Sequence, residues 1–246
     1  MSNKVVLITG ASRGIGAAAA KVFASNNYDV VINYNNSHDA ALKLKEEIEN
    51  KYHVTALCIK CDVSNELEVK SMVEKTIDTF GHVDALVNNA GIAIDTTFED
   101  KTVENFRKIL DTNLIGTFIV SKYVGKYMLE NKNGAIINIA STNGIDTVYP
   151  ESLDYDASKA GVISLTKNLA LQYAPYIRVN AVAPGWVNTD MNKELDQAFI
   201  EKENEKILLN RFAQPEEIAK VIYFLATPDA SYINSEVIRI DGGFKC

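Results

Sequence analysis

Tyr155 and Lys159 stand four residues apart in Asp154-Tyr155-Asp156-Ala157-Ser158-Lys159, a spacing that stacks both side chains on one helix face, one turn apart. A phenol ionises near ~10, and lowering that by about three units takes roughly 4 kcal/mol of preferential stabilisation of the phenolate. A neighbouring ammonium supplies a field of the right sign. The pair therefore suits carbonyl reduction, with Tyr155 as the general acid that protonates the oxygen and Lys159 lowering its pKa. Ser141 follows the apolar run 135–140 and so stands at a strand's carboxyl end, where its hydroxyl donates to the same oxygen as charge develops. Asn113 falls on one helical face with Phe106, Leu110, Thr117 and Val124, which buries an amide that must then find partners.

A hydride donor must lie against these groups, and the N-terminal sequence offers a place for one. The strand-like Val5-Val6-Leu7-Ile8 ends in Thr9-Gly10-Ala11-Ser12-Arg13-Gly14-Ile15-Gly16 and continues into the helix-forming Ala17-Ala18-Ala19-Ala20. A turn without Cβ atoms lets backbone approach a pyrophosphate, and the following helix start offers it unpaired N–H groups. Strand, turn and helix in that order predict a dinucleotide site. The second strand ends Asn33-Tyr34-Asn35-Asn36-Ser37 with no acid before Asp39. An acid there would hold the ribose of NAD and repel a 2′-phosphate. Arg13, Asn33 and neighbouring hydroxyls instead suit that phosphate, so NADP(H) is favoured over NAD(H).

Elements to position these groups are present throughout. Apolar runs near 4–9, 29–34, 54–60, 84–87, 134–140, 177–183 and 236–240 alternate with segments of helical period near 15–27, 38–51, 65–80, 102–130, 152–174 and 215–226. Repeated βα units predict an α/β fold, a Rossmann-like, doubly wound, parallel sheet of seven strands with helices on both faces. No linker composition interrupts the alternation, so residues 1–246 read as a single dinucleotide-binding catalytic domain. The exception is 188–211, helical in period but outside the alternation, which reads as a small lid over a strand end.

The Gly-x-x-x-Gly-x-Gly spacing of Gly10, Gly14 and Gly16, followed in order by Asn113, Ser141, Tyr155 and Lys159, resembles the short-chain dehydrogenase/reductase family along the whole chain. Within it the sequence is most similar to the 3-oxoacyl-acyl-carrier-protein reductases, on Asp111-Thr112-Asn113-Leu114-Ile115-Gly116 and Val179-Asn180-Ala181-Val182-Ala183-Pro184-Gly185. The resemblance implies that Ser12, Arg13 and Ile15 complete the glycine turn, that Asp62 and Val63 hold the adenine, and that Asn89, Ala90 and Gly91 line the cofactor. It further implies that Lys159 binds the nicotinamide ribose, that Asn113 links Lys159 to solvent through a water, and that Pro184, Gly185, Val187 and Thr189 cover the nicotinamide. A homotetramer built on the two long helices is implied as well, and Ala157, Ser158, Ala160, Gly161 and Ser164 are small enough for close approach. The expected reaction is reduction of a 3-oxoacyl thioester, carried on acyl carrier protein or another carrier, as in fatty acid biosynthesis. A sugar or polyol dehydrogenase of the same family and a non-catalytic nucleotide sensor are the alternatives. Against an acidic carrier, the second long helix ends Gln172-Tyr173-Ala174-Pro175-Tyr176 with only Lys126, Lys132 and Arg178 nearby.

Composition bounds the remainder. Of 246 residues, 25 are Lys or Arg and 32 Asp or Glu, a net charge of −7 without a basic run. That disfavours nucleic acid and anionic lipid as partners. Nothing approaches the about 20 apolar residues of a membrane span, and the first apolar run is too short for a signal peptide, so a cytoplasmic protein is expected. Cys58 and Cys61 are spaced as half of a metal motif, but a strand there sends them to opposite faces, and no metal is expected.

Overall fold

A computed structural model describes residues 3–192 and 195–244. One parallel sheet of seven strands runs through it in the order β3-β2-β1-β4-β5-β6-β7. The strands are β1 (Lys4–Ile8), β2 (Tyr28–Tyr34), β3 (Ala56–Lys60), β4 (Ala85–Asn88), β5 (Gly134–Ile139), β6 (Ile177–Pro184) and β7 (Val237–Ile240). The order reverses between β1 and β4, and that switch point is where a doubly wound sheet opens a crevice at its carboxyl edge. Valine and isoleucine crowd β1, β2, β5 and β6 because strands covered on both faces have no polar side to alternate with.

Helices α1 (Gly14–Ala24), α2 (His38–Tyr52) and α8 (Pro215–Ala226) cover one face. The other carries α3 (Glu66–Phe80), α5 (Gly116–Glu130) and α6 (Leu153–Tyr173). Two apolar clusters result, one per face, with Phe23, Ile32 and Ile222 in the first and Leu7, Met72 and Ile136 in the second. Cys58 packs against the first cluster and Cys61 lies in the second, the opposite-face placement that strand geometry requires.

Two features depart from the sequence reading. The segment 102–130 is not one regular helix: α4 (Val103–Leu110) passes through a π-helical turn at Asp111–Ile115 before α5 begins. The stretch 188–211 is helical only over α7 (Gln197–Lys206), with a 3₁₀ turn at Asp190–Asn192; residues 193 and 194 of it lie outside the described residues.

Through the middle of the sheet runs a buried polar chain. The Asn88 amide donates to Ser121 Oγ at 2.9 Å and to Asn138 Oδ1 at 2.8 Å, and the Asn138 amide donates to Thr166 Oγ1 at 2.9 Å. Asn88 and Asn138 are register partners on β4 and β5, so the chain ties α5, two central strands and α6 together.

Candidate active site

The glycine turn leaves β1 with Gly10 at φ +60° and Gly14 at φ +56°, a region open to glycine without strain. A Cβ on Gly10 would stand 2.9 Å from Ala90 Cα, and one on Gly16 2.5 Å from Asn89 Nδ2. Side chains expected to touch cofactor are in part spent on holding this turn. Asn33 accepts from Gly10 N at 3.1 Å and donates to Cys61 O at 3.0 Å. Asn89 donates to Thr9 O and Gly10 O, and the Thr9 hydroxyl accepts from Asn89 N and Ala90 N. Thr9, absent from the sequence expectation, is therefore the peg between the ends of β1 and β4; its only signal was a polar residue closing an apolar run.

Helix α1 starts at Gly14 with neither a side-chain cap nor an acid in its first turn. Its first N–H groups are left for an anion, and Thr189 crosses above, its Cγ2 3.4 Å from the Cβ position at Gly14. Arg13 is exposed at the N-cap. Asp62 is half-buried, accepting from Ser64 N and Oγ and from Asn35 Nδ2. The cap of α3 is Asn65, not Asp62, since its Oδ1 accepts from Leu67 N and Glu68 N. Val63 is buried against Gly116, where a Cβ would come within 2.7 Å; Ser12 and Ile15 are half-buried on the turn. Pro184 ends β6, Gly185 packs on Asp241, and Val187 is buried and bridged to Ala213. These residues fit a dinucleotide: a cradle that Cβ atoms would fill, an uncapped helix start and an unspent cation beside it.

At the carboxyl ends of β4 and β5 the four polar residues converge. The π turn carries Asn113, only 1% exposed, and π turns recur where a helix must present a functional side chain. Its amide clamps Ile92 from both sides, Oδ1 accepting from Ile92 N at 2.8 Å and Nδ2 donating to Ile92 O at 3.0 Å, and it also donates to Ser158 Oγ at 3.0 Å. Ser158 Oγ in turn donates to Tyr155 O. Gly91 lies between the Asn113 amide and the Lys159 ammonium, with Cβ distances of 3.3 and 3.6 Å. Ser141 is buried and accepts from Asn143 N, while the Asn143 amide donates to Asp156 Oδ1 at 2.7 Å. Asn143 and Asp156 were not foreseen; they fix the Ser141 turn against α6, and nothing in their types announced it.

The net shift at Tyr155 is upward. Burial pushes Tyr155 up to about 12, Asp156 and Asp95 adding to it and the Ser141 hydroxyl pulling the other way. The Lys159 Nζ donates to Ile139 O at 2.7 Å and lies 5.4 Å from the Tyr155 ring centroid. Burial lowers Lys159 itself to about 8.

Beyond Gly185 the site is walled by aromatic side chains. Trp186 stacks on Phe212 at 5.3 Å and meets Tyr149 and Phe199 edge-on at 5.6 and 5.7 Å. Its indole N–H donates to Glu203 Oε2 at 3.1 Å, and this carboxylate, on α7, is 2% exposed. Burial raises the Glu203 carboxyl, but Lys206, Tyr149 and Trp186 outweigh it and hold the group below its usual range. Tyr149 is pushed up by burial and by that carboxylate. A cavity of about 480 Å³ lies between α1, Thr189 and α7. Of the small residues on α6, Ser158 and Gly161 face inward, Gly161 against Leu114, whereas Ala157, Ala160 and Ser164 are exposed.

The chain belongs to the short-chain dehydrogenase/reductase family of NAD(P)-dependent oxidoreductases, consistent with a seven-stranded parallel sheet and a glycine turn facing a Tyr–Lys pair. A family model described as "Enoyl-(Acyl carrier protein) reductase" matches residues 10–245. Among similar proteins is the 3-oxoacyl-[acyl-carrier-protein] reductase of Synechocystis sp., 42% identical over 99% of this chain and 97% of its own length. Another is the 3-oxoacyl-[acyl-carrier-protein] reductase FabG of Aquifex aeolicus, 39% identical over 99% and 98%. Similar solved structures include a short-chain type dehydrogenase/reductase from Mycobacterium marinum (TM-score 0.94, 35% identity, covering 100% and 96%). Levodione reductase is a third kind of neighbour (TM-score 0.91, 34% identity, covering 99% and 98%).

Proposed function

We propose that this protein is an NADPH-dependent reductase of 3-oxoacyl thioesters. The observation that carries the chemistry is the convergence of Tyr155, Ser141, Lys159 and Asn113 beside Gly91, at the strand ends facing the uncapped glycine turn. When bound, the reduced nicotinamide supplies a hydride to the carbonyl carbon and leaves oxidised. Tyr155 gives its proton to the carbonyl oxygen, so the C=O becomes CH–OH, and the proton is replaced from solvent. With a pKa of about 12 from its own surroundings, Tyr155 holds that proton at neutral pH. Ser141 donates to the oxygen as negative charge grows on it. Lys159, charged below about pH 8, lowers the cost of the Tyr155 phenolate and holds the nicotinamide ribose. Asn113 keeps Ile92 and the α6 start in place beside them and links Lys159 to solvent.

Gly10, Ser12, Gly14, Ile15 and Gly16 cradle the pyrophosphate, with Asn33 and Asn89 fixing the turn beneath it. Asp62 and Val63 take the adenine, Ala90 and Gly91 line the ribose side, and Pro184, Gly185, Val187 and Thr189 cover the nicotinamide. Arg13 reaches the 2′-phosphate, which favours NADP(H). Residues 188–211 act as a lid of one catalytic domain.

The similar reductases named above support the acyl thioester. The carrier is a separate matter, because Arg178 is spent on the carbonyls of Leu225 and Thr227 at the end of α8, leaving Lys126 and Lys132 as nearby cations. We further propose a homotetramer paired through the outer faces of α5 and α6, where Phe118 and Leu171 are exposed; a monomer-sized species in light scattering would refute it. Since no helix among the described residues is long and apolar enough to span a membrane, a cytoplasmic location is proposed. The deciding assay follows NADPH consumption with acetoacetyl thioesters and, in the reverse sense, NAD(P)⁺ reduction with glucose and polyols. Turnover with the thioester supports the reading, and turnover confined to sugars replaces it by a polyol dehydrogenase. Tight nucleotide binding with no turnover on any carbonyl leaves a sensor.

A further inference from the structure

Lys101 and Asp154 form an ion pair that the reaction described above does not use. Lys101 lies just before α4, and Asp154 is the residue preceding Tyr155. The Lys101 side chain is 4% exposed and that of Asp154 fully buried, with 3.0 Å between Nζ and Oδ1. The ammonium also donates to Ile94 O at 2.6 Å and Glu151 O at 2.9 Å, which uses all three of its protons. Asp154 Oδ1 accepts from Tyr155 N at 3.0 Å as well, while Oδ2 is buried without a partner. Burying such a pair costs desolvation that Coulomb attraction seldom repays with much to spare. Its placement therefore asks for a reason other than stability.

The connection from β4 to α4 supplies one. It leaves Gly91, is clamped at Ile92 by Asn113, and then zips onto the start of α6: Thr96 N donates to Glu151 O and Ser152 Oγ donates to Asp95 Oδ1. Lys101 is the only cation on this seam among the described residues. It ties the far end of the strap to the turn that carries Tyr155.

We propose that Lys101 and Asp154 are a positioning pair for Tyr155, holding the first turn of α6 and the 92–101 strap in one rigid unit against the reacting carbonyl. The inference rests on Tyr155 as the proton donor. Removing the ammonium alone strands a buried carboxylate one residue from Tyr155, and the strap must open to hydrate it. Removing both charges leaves a neutral seam that stays shut.

The test uses Lys101→Met, Asp154→Asn and the double variant on the full chain. Lys101→Met is expected to lower kcat at least tenfold while KM for NADPH stays within about threefold, because Tyr155 acts on the transition state and not on the dinucleotide. The double variant is expected to recover most of that loss and to be milder than Lys101→Met. Hydrogen exchange, read without substrate or cofactor, is expected to speed up in peptides covering 92–101 and 149–156 in Lys101→Met and to return in the double variant. Should Lys101→Met not fold, the double variant against Asp154→Asn and the wild type still reads the exchange. Unchanged exchange across the seam, or a double variant no better than Lys101→Met, overturns the pair. A wild type that reduces no carbonyl overturns the functional reading instead, and the exchange result then decides the pair alone.

Discussion

The two ends of the crevice are built on opposite plans. On the nucleotide side, side chains serve the backbone: Thr9, Asn33 and Asn89 spend their hydrogen bonds on the glycine turn, leaving bare N–H groups to meet a ligand. On the side beyond Gly185, proposed to face the substrate, the wall is made of side chains, with Trp186, Tyr149, Phe199 and Phe212 packed ring on ring beside the Glu203 carboxylate. A backbone cradle tolerates no change in shape, whereas a side-chain wall can be rebuilt residue by residue.

The residues proposed to be catalytic sit between the two, and breaking them should cost most. Tyr155→Phe is expected to lower reduction about a thousandfold with NADPH affinity within a few fold, read by stopped-assay turnover and fluorescence titration. Retained turnover would remove Tyr155 as the acid. Next comes the cradle. Gly16→Ala forces a Cβ into Asn89 Nδ2 and Gly10 O at 2.5 and 2.7 Å, which should cost about 1–3 kcal/mol in thermal or urea unfolding and weaken dinucleotide binding about tenfold.

Lys159 gives a pH signature. Its folded pKa of about 8 lies below its unfolded value, so above pH 8 the unfolded chain binds the extra proton and stability rises with pH. Relative to Lys159→Met, the wild type should gain about 2 kcal/mol between pH 8 and 10, a difference in which Tyr155, common to both, cancels. A flat difference in urea midpoints across that window would refute the buried ammonium. Arg13→Ala should weaken NADPH by about tenfold and leave NADH unchanged; equal losses would place Arg13 away from the 2′-phosphate. Glu203→Gln, the smallest change, should raise KM for the carbonyl about threefold with dinucleotide affinity unaltered, as loss of a charge-assisted bond to α7 predicts. An effect on NADPH binding would erase the contrast between the two sides.

What the sequence made legible follows the same division. Strand and helix positions were readable because Val, Ile and Ala repeat at periods imposed by a sheet buried on both faces, and the observed boundaries differ by a few residues only. The glycine turn and the placing of Tyr155 and Lys159 one turn apart on α6 were readable because both depend on local spacing. Groups assembled from distant segments were not. The π turn at Asp111–Ile115 adds one residue to a helical turn without changing the pattern of apolar residues. Asp156 and Asn143 meet across a loop, and Glu203 reads as a surface charge in Glu201-Lys202-Glu203-Asn204-Glu205-Lys206 until α7 folds it under Trp186. The rise at Tyr155 was missed for the same reason, since burial, a property of the whole fold, is its largest cause.

The amide ladder from Ser121 through Asn88 and Asn138 to Thr166 bears on how the protein reaches its fold. Valines slide past valines at little cost, so parallel apolar strands accept neighbouring alignments almost equally well. Two asparagines facing each other do not, because moving β4 by one step against β5 carries Asn88 to the opposite face and away from Ser121 and Asn138. The centre of the sheet thus carries its own proofreading: the observed alignment is the one that pairs the Asn88 amide N–H groups with Ser121 and Asn138.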